Sequence, residues 1–301
     1  KPMKRTKSNA RKKSVRKPKH SGQVPSQNRQ HVLATAIEHH QQGRLAEAQA
    51  GYLTVLKTDP DNADANHLMG VIAYQGGDLE TASQLISKAV KIAPEQQQMH
   101  SNLGNVFQDQ GLPQEAIDCY EKALAINPDF PEGHNNLGNA QKTCGLLEAA
   151  VASFKKALAL RPDYIEANNN LGNTLKDLGQ NTEAISYLRK AISLNPAYAD
   201  AHYNLALALF NNAQQEEAVA SCRQAIALKN DFIEARVNLS VFYQKMGRQE
   251  DSLAMARDAI TIAPEDSNAH TARANVLGKL GLLDEALASY TRAIELDPDN
   301  E

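Results

Sequence analysis

A chain of 301 residues without Trp, 5% aromatic and 42% hydrophobic, must build its interior largely from Ala and Leu, which suits closely spaced helices. No apolar run approaches the ~18 residues of a membrane span, and the N-terminus lacks the apolar core of a signal peptide. The net charge of −3 hides a split: residues 1–30 hold eleven Lys or Arg and no acid, leaving 21 bases against 35 acids in residues 31–301, or −14.

The basic segment comes first. KPMKRTKSNARKKSVRKPKHSGQVPSQNRQ has three prolines and almost nothing to bury, so residues 1–30 are expected to be a disordered tail. Three readings of it stay open. It can bind nucleic acid or an anionic surface through counterion release; RKKSVRKPK has the look of a nuclear import signal in an organism with a nucleus; or it is a solvated leader lying on the acidic body.

From about His31 a period of 34 takes over. Pro60, Pro94, Pro128, Pro162, Pro196, Pro264 and Pro298 share one position, with Asn230 in the remaining slot, and Gly43, Gly77, Gly111, Gly145, Gly179, Gly247 and Gly281 share another, with Ala213 in the gap. Eight units follow: 29–62, 63–96, 97–130, 131–164, 165–198, 199–232, 233–266 and 267–300. In each, a helix A ends at the glycine, which adopts the left-handed conformation without a Cβ clash. A helix B with an acid-rich start then runs to the proline, which disfavours a helical conformation in the residue before it. Ala213 would be strained there by about 1–2 kcal/mol, so Asn212 is expected to take the left-handed role in that unit.

Small residues recur where the two helices must approach. One row is Ala36, Gly70, Gly104, Gly138, Gly172, Ala206, Ser240 and Ala274; the other runs from Ala48 and Ala82 to Ser252 and Ala286. With Leu103, Leu137 and Leu171 beside the first row and Tyr52, Tyr120, Phe154 and Tyr290 on helix B, these residues resemble the tetratricopeptide repeat signature over residues 29–300. The family's aromatic near the start of helix A is missing, and His100, His134, His202 and His270 stand there as packing residues. The resemblance implies an all-α, right-handed superhelix of helix-turn-helix units, with helix A lining the concave face.

One row is not required for folding. Asn102, Asn136, Asn170, Asn204 and Asn238 recur at the sixth position of repeats three to seven, and Asn105, Asn139, Asn173 and Asn275 lie three residues on, sharing their helix face. Asn is a mediocre helix interior residue, yet its amide matches the C=O and N–H of a peptide unit. An even row of them can grip an extended chain without reading its side chains. The alternative is that the amides bond to one another between repeats. NLGN at Asn102–Asn105, Asn136–Asn139 and Asn170–Asn173 resembles the repeats of O-linked N-acetylglucosamine transferases. There the resemblance implies a ladder that holds protein substrates for a catalytic region elsewhere in the chain.

In repeats six and seven the same face turns apolar, with Tyr203, Leu207, Phe210, Val237 and Val241. It can anchor one ligand side chain or cover an irregular repeat. Ser101, Asn135 and Asn169 stand where a carboxylate clamp would need paired Lys and Arg. Cys119, Cys144 and Cys222 show no CxxC spacing and read as buried free thiols of a reducing, cytoplasmic setting. One His per repeat cannot share a metal ion across helices roughly 8–10 Å apart, and no catalytic constellation stands out in residues 1–301. No cofactor is expected. The leading expectation is therefore a protein-interaction scaffold for an extended peptide, and the alternative is the substrate-recruiting part of a glycosyltransferase or another transferase. Replacing Asn136, Asn170 and Asn204 with Ala is expected to weaken binding and leave folding intact. Helix B of repeat eight carries Leu287, Tyr290 and Ile294 toward the end of the chain, so a further repeat, cap or domain is expected after Glu301.

Overall fold

A computed structural model describes residues 26–298; the tail readings, apart from its last five residues, lie outside them. The first eight helices are α1 (Ser26–Gln41), α2 (Leu45–Thr58), α3 (Ala63–Gln75), α4 (Leu79–Ile92), α5 (Gln97–Asp109), α6 (Pro113–Ile126), α7 (Pro131–Thr143) and α8 (Leu147–Leu160). The second eight are α9 (Ile165–Asp177), α10 (Asn181–Leu194), α11 (Ala199–Asn211), α12 (Gln215–Leu228), α13 (Ile233–Lys245), α14 (Gln249–Ile262), α15 (Ser267–Lys279) and α16 (Leu283–Leu296). Odd-numbered helices are the A helices and even-numbered ones the B helices, so the fold is an all-α superhelix of hairpins. Residues 26–30 belong to α1. Their sequence, SQNRQ, is wholly polar, so the apolar pattern begins one turn after the helix does.

The turn between A and B follows from its glycine. Gly111 has φ +73°, its N–H donates to the Gln108 carbonyl at 3.1 Å, and the next N–H, of Leu112, donates to the Phe107 carbonyl at 2.9 Å. Two orphan carbonyls at the end of α5 are thereby satisfied, the Schellman arrangement. Repeat six makes the same turn without glycine. Ala213 itself takes φ +59°, while Asn212 keeps φ −93°, so the left-handed role does not pass to Asn212. The two bonds that close the turn, from Ala213 and Gln214 to the Phe210 and Leu209 carbonyls, are in place and hold the alanine in its strained conformation.

In repeats two to five the hairpin is closed by a large side chain of B seated on a glycine of A. A Cβ added to Gly104 would lie 2.6 Å from Tyr120, and one on Gly138 would lie 2.6 Å from Phe154. Both rings are buried, each worth about 1.5–3 kcal/mol of apolar transfer. In repeat seven the two small-residue rows themselves bond: Ser240 and Ser252 each donate a hydroxyl to the other's carbonyl, at 2.8 and 2.7 Å.

A helices touch the A helices of neighbouring repeats as well as both flanking B helices, whereas B helices are spaced apart. The array therefore curves with the A helices inside. On α16, Leu287 and Ile294 are 67% and 58% exposed, whereas Ile117, Ile185 and Val219, which align with Leu287 in earlier repeats, are each 5% exposed under the next A helix. Cys119 and Cys222 are buried free thiols, pushed up to about 11 and about 12 by burial. Cys144 departs from the expectation, being only half-buried. It caps the C-terminus of α7, where the chain leaves the packed interior.

Candidate binding groove

The Asn row lies on the inner face of α5, α7, α9, α11 and α13, and every member reaches back one repeat. Asn136 donates its Nδ2 to Asn105 Oδ1 at 3.1 Å, Asn170 to Asn135 Oδ1 at 3.1 Å, and Asn204 to Asn169 Oδ1 at 3.0 Å. The ends of the row use other acceptors. Asn102 donates to His67 Nε2 at 2.9 Å and Asn238 to the Tyr203 hydroxyl at 2.7 Å. Burial lowers the His67 pKa, against a smaller opposing pull from Asp64, which keeps the ring neutral and Nε2 free to accept. Bonding between repeats is thus real, and it engages one N–H of each amide. Asn102, Asn136, Asn170 and Asn238 remain half-buried, whereas Asn204 is buried.

The second row divides. Asn105 Oδ1 accepts from the Tyr120 hydroxyl at 2.8 Å as well as from Asn136, and Asn275 Oδ1 accepts from the Tyr290 hydroxyl at 2.6 Å. Asn139 and Asn173 face Phe154 and Leu188 at the corresponding places. Neither makes a side-chain hydrogen bond among the described residues, and both are half-buried on the inner face.

A further row of contacts was not read from the sequence. Two turns along helix A, Tyr74 donates its hydroxyl to Asp109 Oδ2 at 2.6 Å, Gln108 Nε2 to Thr143 Oγ1 at 3.4 Å, and Lys142 Nζ lies 2.9 Å from Asp177 Oδ2. Lys245 stands over the Phe210 ring at 5.7 Å in the same relation. Burial disfavours the Asp177 carboxylate, but bonds from Lys142 and Lys176 outweigh it and hold its pKa below the usual carboxylate range. All these pairs are 35 apart, one residue beyond the period, and that offset was the available signal. With the Asn rungs they border a strip whose floor is Asn105, Asn139, Asn173, Leu207 and Val241.

The histidine row has a defined task. His100, His134, His202 and His270 each donate Nε2–H to the carbonyl of the proline six residues earlier, at 2.8–3.0 Å. Asn66 and Asn168 do the same toward Pro60 and Pro162. Where the proline is replaced by Asn230, the donor changes as well: Arg236 bonds Asn230 Oδ1 at 3.2 Å and Asp258 Oδ2 at 2.6 Å. These side chains fasten each A helix to the preceding junction and face away from the groove's shared strip.

The apolar patch mainly knits repeats six and seven together. Phe210 stacks on Phe242 at 4.1 Å and Tyr203 meets Phe232 at 4.9 Å. Tyr203, Leu207, Phe210, Val237 and Val241 all remain half-buried, so the patch still forms part of the inner wall.

Sequence models described as tetratricopeptide repeat match residues 39–104, 98–130, 119–152, 199–232, 233–263 and 267–300, and one described as TPR repeat matches 142–179 and 172–212. No curated protein matches the chain. Among solved structures, TTC0263, a thermophilic TPR protein of Thermus thermophilus, is 29% identical, with 60% of this chain and 99% of that one covered at a TM-score of 0.51. A tetratricopeptide repeat protein of Parabacteroides merdae is 18% identical over 79% of this chain and 94% of its own, at a TM-score of 0.67. The Cut9–Hcn1 hetero-tetramer of the APC/C gives 0.64 at 18% identity, covering 92% of this chain and 55% of that one. These last two likenesses concern the fold.

Proposed function

The chain belongs to the tetratricopeptide repeat family, and from that premise we propose that it is a protein-interaction scaffold holding an extended segment of another protein in its concave groove. The amides of Asn102, Asn136, Asn170, Asn204 and Asn238 grip the backbone of that segment, aided by Asn105, Asn139 and Asn173. One observation carries the reading. Each ladder amide has one N–H fixed by the preceding repeat, so its plane is oriented before any ligand arrives, while a second N–H remains on Asn102, Asn136, Asn170 and Asn204; that of Asn238 goes to the Glu234 carbonyl, leaving its Oδ1. Groups held in place lose less entropy on binding. Adjacent packed A helices are roughly 8–10 Å apart and an extended chain advances ~3.3 Å per residue, so about every third peptide unit meets an Asn.

Asn139 and Asn173 give the cleanest test, because neither carries a bond that the fold uses. Random dodecapeptides displayed on phage are selected against the whole chain, and one selected peptide is titrated by fluorescence anisotropy. Asn139→Ala with Asn173→Ala is expected to leave melting unchanged and to weaken binding by about 1–3 kcal/mol, two hydrogen bonds' worth. Selected peptides whose affinity ignores both changes would place the ligand on another surface.

A further inference from the structure

A pocket of about 130 Å³ opens where repeats two, three and four meet, lined by Tyr74, Asn105, Gln108, Asp109, Tyr120, Asn136 and Asn139. Both of its phenols and its Gln108 amide donate within the protein, while amide N–H groups of Asn105, Asn136 and Asn139 stay free. The Tyr74 hydroxyl goes to Asp109 Oδ2, the Tyr120 hydroxyl and an Asn136 N–H go to Asn105 Oδ1, and Gln108 Nε2 goes to Thr143. Burial pushes Tyr74 up to about 12 and Tyr120 higher still, so both phenols keep their protons. Two acceptor groups are open as well. Gln108 Oε1 is buried without a partner, the Asp109 carboxylate is exposed with only Oδ2 engaged, and no Lys or Arg lines the space. A guest that satisfies these groups must bring positive charge and N–H donors, and the tyrosine rings offer it a face.

The chain supplies its own precedent. Two repeats on, the positions of Tyr74 and Asp109 are held by Lys142 and Asp177, and there the Lys142 ammonium sits 2.9 Å from the carboxylate. Two repeats further, they are Phe210 and Lys245, with the ammonium over the ring. At the first junction an acid and an aromatic ring are both present and the cation is missing. We propose that this pocket is a specificity subsite that takes one lysine or arginine side chain of the bound segment, whose charge meets the Asp109 carboxylate beside Tyr74 as the Lys142 ammonium meets Asp177. The inference rests on the groove reading above.

The test uses the same dodecapeptide selection on the whole chain, repeated with Asp109→Asn and with Tyr74→Phe. Asp109 is exposed, and Tyr74→Phe keeps the ring, so circular dichroism melting should match the parent for both. Selected peptides are expected to share a basic residue at one position, and its replacement by norleucine to weaken binding about tenfold or more, as loss of a charge-assisted hydrogen bond does. Against Asp109→Asn the same replacement should matter less than about twofold, the coupling a double-mutant cycle reports. Tyr74→Phe should reduce the preference partway. The Asp109→Asn variant leaves the rest of the acidic body intact, so a basic preference that survives it would overturn the subsite. Peptides that bind the groove without a shared basic residue would overturn the subsite and leave the groove standing. Failure to select any peptide would remove both.

Discussion

The ladder amides carry structural load, and its size can be worked out. In the triple variant Asn136→Ala, Asn170→Ala, Asn204→Ala, three side-chain bonds of 3.0–3.1 Å disappear, each worth about 1 kcal/mol net. Two of the abandoned acceptors, on Asn135 and Asn169, belong to residues only 5% and 6% exposed, which adds to the loss. Against this, Ala is the better helix former by roughly 0.5 kcal/mol per position. The balance is a destabilisation of about 2 kcal/mol, concentrated from α7 to α11, so the expectation of unaffected folding does not survive the geometry. Repeat arrays need not unfold in one step, so the assay is hydrogen–deuterium exchange resolved by helix. Exchange in α7–α11 should quicken by up to about 30-fold, while α1–α4 and α15–α16 stay as they were. Unchanged exchange at α7–α11 would refute the strut role and return the amides to the groove alone.

Three further outcomes are expected. Ala213→Gly relieves about 1–2 kcal/mol of left-handed strain and forfeits about 0.4–1 kcal/mol to a freer unfolded chain. It should therefore slow exchange in α11 and α12 slightly, whereas Gly247→Ala should speed it in α13 and α14. The His67 pKa is lowered from 6.5 by burial, so the unfolded chain takes up the proton first as pH falls. The stability this neutral ring contributes is fully present above pH 6.5 and declines below it; urea melts of the parent and His67→Gln at pH 7.5 and 5.5 should differ in slope with pH, and parallel behaviour would contradict the assignment. Arg236→Ala removes a guanidinium with 4% side-chain exposure that holds Asp258, Asn230 and the Phe232 carbonyl. It should cost about 3 kcal/mol or more at the α12–α13 junction, read as local exchange, and a loss below about 1 kcal/mol would show that the junction does not depend on it.

The hairpins were legible because each rests on a residue type with one strong physical preference at a fixed place. Gly111 turns left-handed, Pro128 ends α6, and Gly104 lets Tyr120 close on α5. The groove was half legible. Comparing position six with position six reveals the Asn row, but four of its five bonds join position six to position five of the repeat before, Asn136 reaches position nine instead, and Tyr74–Asp109 joins twelve to thirteen. A period search aligns like with like and passes over contacts offset by one. The task of His100 was hidden for a different reason, since its acceptor is the Pro94 carbonyl and a backbone oxygen leaves no mark on composition. Ala213 was misjudged because a single strained residue was weighed alone, without the two turn bonds that hold it.

The backbone-gripping groove is tested most directly by methylating, one at a time, the peptide nitrogens of a selected dodecapeptide bound to the whole chain. Each methyl removes one backbone N–H and leaves every side chain in place. Losses of about 1 kcal/mol or more are expected at roughly every third residue, where the Asn rungs recur, with alanine replacement tolerated at most positions. Affinity indifferent to backbone methylation and governed by side chains alone would contradict it.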